Sequence, residues 1–133
     1  MEEEERFSRL EAASLQAAES GLKALLLLNG GACIAVLGFL ASTASQENIS
    51  ITYARIFSGM VSSLVFFSTG AGLAVLTSFF AYLANQCYAS ALLNPERYEW
   101  SLGTLMNRLG IACALLSLAF FALGVFKIWA GLP

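Results

Sequence analysis

Charged positions divide the chain into three uncharged stretches, 24–46, 56–95 and 109–126. A bilayer core of about 30 Å needs roughly 20 helical residues. The first stretch therefore fits one span. The third fits one short span, with Lys127 snorkelling outward at its end. The second is too long for one span and tight for two. Its one plausible break is Ser68-Thr69-Gly70-Ala71-Gly72. A turn there leaves a first arm of about 14 residues, which reaches about 21 Å. It also leaves backbone groups unsatisfied in hydrocarbon. The pattern thus predicts one long, protruding helix, with a four-span hairpin as the competing reading.

The expected fold is all-α: an integral membrane protein of one domain, with three long transmembrane helices and a cytoplasmic helical extension. The spans fall at approximately 22–42, 56–78 and 109–130, preceded by an acidic helical segment over 1–21. Helix 1 is expected to begin within 2–9 and run to about Ser42, and helix 2 to run from about Ala54 to Leu92. Helix 3 has a start signal, with Asn94 as N-cap, Pro95 at the first helical position and Glu96 in the first turn, and runs to about Ala130. Each helix exceeds the bilayer. The surplus on neighbouring ends predicts a three-helix collar outside it.

Composition strengthens this picture. Hydrophobic residues make up 58% and charged residues only 12%, against roughly 25% charged in a soluble domain. Mean hydropathy is +0.72. A disordered chain needs the opposite balance. A net charge of −2 argues against nucleic acid as a partner, since that needs a basic patch. In a three-span topology Arg6, Arg9, Lys23, Arg97 and Arg108 share one side, and Arg55 and Lys127 the other. The positive-inside rule then puts the N-terminus and the second loop in the cytoplasm. The acidic head (Glu2, Glu3, Glu4, Glu5) is unlike a secretory leader, whose first region is positive. No lipidation motif is visible.

Small residues recur at steps of three, four and seven. Helix 1 offers Gly31 and Gly38, with Ala24, Ala35 and Ser42. Helix 2 offers Gly59, Ser63, Gly70 and Ala74, then Thr77, Ala81 and Ala84. Helix 3 offers Gly103, Gly110, Ala114, Ser117 and Gly124. Small faces let helix backbones approach closely in lipid. They predict packing within a three-helix bundle, or an oligomer built on part of that surface. Beyond the bilayer, helix 2 still reads Phe79-Phe80-Ala81-Tyr82-Leu83 and then Asn85, Gln86, Cys87 and Tyr88. A helix end in water without charge on any face needs cover. Helices 1 and 3, another copy or a partner could supply it.

The chemistry is defined by what is missing. The chain has no His, hence no imidazole base and no His metal ligand. It has no Asp, and every Glu lies outside the spans, so an intramembrane proton relay of the usual type lacks members. Glu96 and Glu99 fit helix-start electrostatics better than catalysis. Cys33, Cys87 and Cys113 form no C-x-x-C motif and read as small apolar residues. Gly30-Gly31 and Gly70-x-Gly72 lie in apolar helices and read as packing or kink positions, not phosphate loops. No catalytic residue, metal or cofactor is expected.

Polar residues within or near the spans are the remaining candidates: Asn29, Ser58, Ser62, Thr69, Asn85, Gln86 and Asn107. An Asn in lipid needs a hydrogen-bond partner. Bonding between helices is one reading, and a polar pore lining in an assembly is the other. Tyr53 and Trp129 suit the outer aromatic belt, and Tyr98 and Trp100 the inner side. Asn48-Ile49-Ser50 matches a glycosylation sequon, a pattern common by chance.

The stretch Leu28-Asn29-Gly30-Gly31-Ala32, followed by Ile34-Ala35-Val36-Leu37-Gly38-Phe39-Leu40, resembles the first span of a group of small bacterial inner-membrane proteins. Those have three predicted spans and an LNGGA-type first span. Their second helix ends in a stretch like Leu83-Ala84-Asn85-Gln86-Cys87-Tyr88, and a last apolar helix follows. The likeness covers the chain from about Leu22 onward, and none of its motifs is catalytic. It implies fold and compartment only, the bacterial inner membrane.

The functional expectation is non-enzymatic: a small multi-pass membrane protein acting through helix packing. It would work as a homo-oligomer or as an accessory subunit of a membrane complex, with the lipid bilayer as its other partner. The alternative is an oligomeric pore former, holin-like or a defence-type effector.

Overall fold

Neither of the two prolines falls inside the helices observed here, so no internal hydrogen bond is removed by one. The computed structural model describes residues 2–43, 51–93 and 99–131. They form α1 (Glu2–Thr43), α2 (Ile51–Leu93) and α3 (Glu99–Gly131). All three are long and apolar enough to cross a membrane. The helix-start signal at Asn94-Pro95-Glu96, with Arg97 and Tyr98, lies outside the described residues, as do the sequon at 48–50 and the side chain of Tyr53. No described glycine has a positive φ, so glycine here does not serve to turn the chain. In particular, α2 continues through Ser68–Gly72 as uninterrupted helix. The four-span reading is therefore set aside.

The core of the molecule is an antiparallel pair, α2 against α3. On α3, Gly103, Gly110, Ser117, Gly124 and Gly131 are all buried. They are spaced by seven throughout. A seven-residue repeat keeps one line of a helix against its neighbour, as in a coiled coil. What meets each small residue explains its size. A Cβ on Gly103 would come 2.7 Å from the Tyr88 ring, and one on Gly124 would come 2.5 Å from the Phe67 ring. One on Gly59 would stand 3.2 Å from the Lys127 carbonyl oxygen and 3.5 Å from Gly131 Cα. The pair thus alternates ring into notch with backbone against backbone. Phe67 is 1% exposed and lies 5.7 Å from Phe121, centroid to centroid, while Phe66 lies 6.0 Å from Phe120. In lipid such contact geometry, rather than a hydrophobic force, drives association.

α1 packs mainly against α2 and only lightly against α3. Val36 and Asn29 are its buried residues. Its first turns stand clear of the pair: every described side chain over 3–21 is exposed. The expected three-helix collar is therefore corrected to an α2–α3 pair beside a free α1. In that pair Tyr88 and Trp100 meet at 5.1 Å and 55° over Gly103. The expectation that Gly31 and Gly38 pack within the bundle is corrected as well. Both face outward, with nothing within 4 Å of where a Cβ would stand. The α1 surface that meets α2 is a different one.

Substituting Gly110 by Leu should destabilise the fold by about 1–3 kcal/mol through overpacking, because Phe80 Cβ lies 3.5 Å from the position of the added Cβ. Gly31→Leu should leave the monomer's stability unchanged. Reversible unfolding in detergent micelles compares the two.

Candidate functional site

An amide side chain in apolar surroundings costs several kcal/mol unless it is hydrogen-bonded. Asn29 on α1 is 0% exposed. Its Nδ2 donates to the Leu25 carbonyl at 3.1 Å, one turn back on the same helix, and to Ser117 Oγ on α3 at 3.2 Å. Ser117 in turn donates its hydroxyl proton to the Gly70 carbonyl on α2 at 2.8 Å. Ser117 is 0% exposed. One amide and one hydroxyl thus tie all three helices at a single level.

Gly70 is required there. A Cβ built on it would overlap the Asn29 amide, falling 2.7 Å from Cγ and meeting Oδ1 more closely still. Oδ1 is buried and, among the described residues, has no conventional hydrogen-bond partner. The Gly70 Cα–H that replaces a side chain points at it. Such a C–H···O contact contributes about 0.5–1 kcal/mol. The residue that suggested a turn in the sequence is instead the notch that admits the α1 amide.

The node has a definite height along the bundle. Arg108 and Lys127 bracket the uncharged part of α3, about 28 Å apart at 1.5 Å per residue. Ser117 lies almost midway between them. On α1, Lys23 and Glu19 lie about 9 and 15 Å from Asn29 by the same rise. They fall at the level of Arg108, on the side of the α1 N-terminus. Glu19 Oε1 and Lys23 Nζ pair at 2.6 Å. That hydrogen bond first, and the ammonium charge second, hold the Glu19 carboxyl below its ordinary pKa.

The sequence candidates separate on this frame. Gly59, Ser63, Gly70, Ala74, Gly110 and Gly124 all lie in the interface of α2 with its neighbours, and Ser63 bonds its own helix at the Met60 carbonyl, 2.7 Å away. Ala114 is half-buried. Of the polar set, Asn29 alone is enclosed. Ser58, Ser62, Thr69, Asn85, Gln86 and Asn107 are exposed on the helix surfaces. The Thr69 hydroxyl is used by the Val65 carbonyl at 2.7 Å. Ser117 was read only as a small residue, and its hydroxyl role was missed. Its place in the seven-residue series 103, 110, 117, 124 and 131 was the available signal: the one polar member, where the others are glycine. Cys33, Cys87 and Cys113 are free thiols. Among the described residues no three His, Cys, Asp or Glu side chains gather as a metal site would need.

No protein-family model matches the chain, and no curated protein or solved structure does either.

Replacing Asn29 and Ser117 by Ala, singly and together, should reveal a coupling of about 0.6–2 kcal/mol, the range for hydrogen bonds between helices in membranes. Strict additivity in the unfolding free energies would remove the node's energetic role. Gly70→Ala should destabilise by about 1–3 kcal/mol, and Asn29→Ala added to it should cost little more.

Proposed function

We propose that this is a non-enzymatic membrane protein that acts by packing its free helical ends against other chains, as a homo-oligomer or as an accessory subunit of a membrane complex. The observation that carries the reading is apolar surface in the wrong place for lipid. With the node at the bilayer midplane, hydrocarbon ends about 15 Å away. Along α2, Tyr82 lies about 18 Å from Gly70 and Leu93 about 34 Å. Tyr82 is 59% exposed and Leu93 82%. α3 covers the Cys87 and Tyr88 side of this end but not the Tyr82 and Leu93 side. On α1, Phe7, Leu10 and Leu15 are exposed too. Water-exposed apolar ridges of this kind mark interaction sites.

The same placement accounts for the remaining parts. The outward Gly31–Ala35–Gly38 line of α1 offers a second close-approach surface within the bilayer. The excess of Lys and Arg on the side of the α1 N-terminus supports a cytoplasmic N-terminus. A pore lined by polar side chains has less support. Asn29 is enclosed within one chain, and Thr69 already bonds its own helix.

The protein extracted gently from its native membrane should run in native mass spectrometry at an integer multiple of 14.2 kDa, or at a mass fixed by foreign subunits. A lone monomer would overturn the proposal. Tyr82→Ser combined with Leu93→Ser should release the partner while leaving the monomer folded. With the native cysteines replaced by Ala, Ser20→Cys should react with a membrane-impermeant thiol reagent only after the cytoplasmic face is opened. Labelling of intact cells would invert the orientation.

A further inference from the structure

α1 meets the α2–α3 pair from about Leu22 onward and diverges from it toward its own N-terminus, leaving a groove between the three helices. The opposite side of α1 is uncovered. Two lines of positions run along it in steps of seven, one from Phe7 to Ser42 and one from Leu10 to Gly38. Taken together they alternate steps of three and four, the spacing of a coiled-coil seam. They lie about 130° round the helix from the docking line Leu22–Asn29–Val36, at about 100° per residue. Every position on them is exposed, and none is charged. The ion pairs Glu5–Arg9 and Glu19–Lys23 stand on the other side of the helix.

The seam changes composition with its surroundings. Phe7 and Leu10 lie about 33 and 28 Å from the level of Asn29, beyond the hydrocarbon edge at about 15 Å. They are 68% and 70% exposed. In water, burial of such apolar area drives association. Within the bilayer the seam is small instead, at Ala24, Gly31, Ala35 and Gly38, with Leu28 between them. In lipid, close backbone approach drives association. Each half of the seam therefore suits the force available at its depth.

The glycines point to a missing neighbour. Gly59, Gly70, Gly103, Gly110, Gly124 and Gly131 each have an atom of a neighbouring helix within 3.6 Å of where a Cβ would stand. Gly31 and Gly38 repeat the same seven-residue spacing and have nothing within 4 Å. Glycine weakens a helix that gains no contact from it. Charge complementarity makes that neighbour a second copy. Copies inserted with one topology carry α1 in the same direction, so identical seams meet in register about a two-fold axis. In the sequence, Arg6 and Glu11 flank the seam five positions apart. At that spacing the flanks of two parallel helices bring opposite charges together, which sets partner and orientation. Leu27 and Ile34, each 74% exposed, flank the small residues and gain cover in such a pair.

We propose that α1 pairs in parallel with α1 of a second copy along this seam. The inference rests on the reading above and narrows it, by naming the partner and the face. The seam is separate from the ridge at Tyr82 and Leu93.

The test uses the full chain in its native membrane, with the native cysteines replaced by Ala and one cysteine added at a time. On oxidation with copper–phenanthroline, Ala17→Cys, Ala24→Cys and Ala35→Cys should each give a disulfide-linked dimer. They should do so several-fold faster than Ala12→Cys and Leu26→Cys, on the side of α1 away from the seam. All of these positions are exposed, so the substitutions leave the fold of one chain intact. Gly31→Leu with Gly38→Leu should abolish the dimer formed through Ala17→Cys while the helix content of the chain stays the same. Arg6→Glu should slow dimer formation, and Glu11→Arg added to it should restore the rate. Equal rates on both sides of α1, with the native mass still at an integer multiple of one chain, would overturn the seam and leave the reading above standing. A single copy of this chain beside foreign subunits would overturn the pairing in the same way. A lone monomer would overturn both.

Discussion

A buried amide must find hydrogen-bond partners, and Asn29 finds one on a second helix and, through it, reaches a third. Among the described residues, the chain Asn29 Nδ2 to Ser117 Oγ to the Gly70 carbonyl joins α1, α2 and α3 by directional bonds. Fully enclosed, the node has no competing water. The polar groups must therefore meet each other, and they fix both the register of α2 on α3 and the height at which α1 docks. The absence of a Cβ at Gly70 lets the amide approach. Two apolar faces alone would slide against each other with little preference.

The register fixed at this level propagates through the α2–α3 pair. Seven residues either way from Ser117 brings Gly110 and Gly124 to the interface, and seven more brings Gly103 and Gly131. Each meets a ring or a backbone that its size admits. α1 has no such series facing the pair. It is held at the node and by Val36, then diverges. The groove, the free N-terminal turns and the exposed ridge at the end of α2 all follow from this asymmetry. Two helices are joined along their length, and the third is joined to them only from about Leu22 onward. The surfaces left over are the ones available to lipid and to other chains.

Much of this was legible along the chain. Runs without charge gave three helices and their approximate ends, because helix length and apolarity are local properties. Absence of His and Asp limited the chemistry by composition. Small residues at helical steps marked surfaces of close approach, and Asn29 stood out as an amide needing partners. The sequence by itself therefore determined the number, length and apolar character of the helices, and which residues could not remain unpaired. Only the tertiary structure decided which small residues face inward. Gly110 and Gly31 read alike in sequence, yet one meets Phe80 and the other meets nothing within 4 Å. It likewise decided that Gly70 is a notch and not a turn, that Ser117 is Asn29's partner, and that α1 leaves the pair to open a groove. The physical reason is that a helix surface shows the same periodicity on every face. Which face is buried depends on contacts between residues far apart in the chain, as with Asn29 and Ser117, which are separated by 88 in sequence.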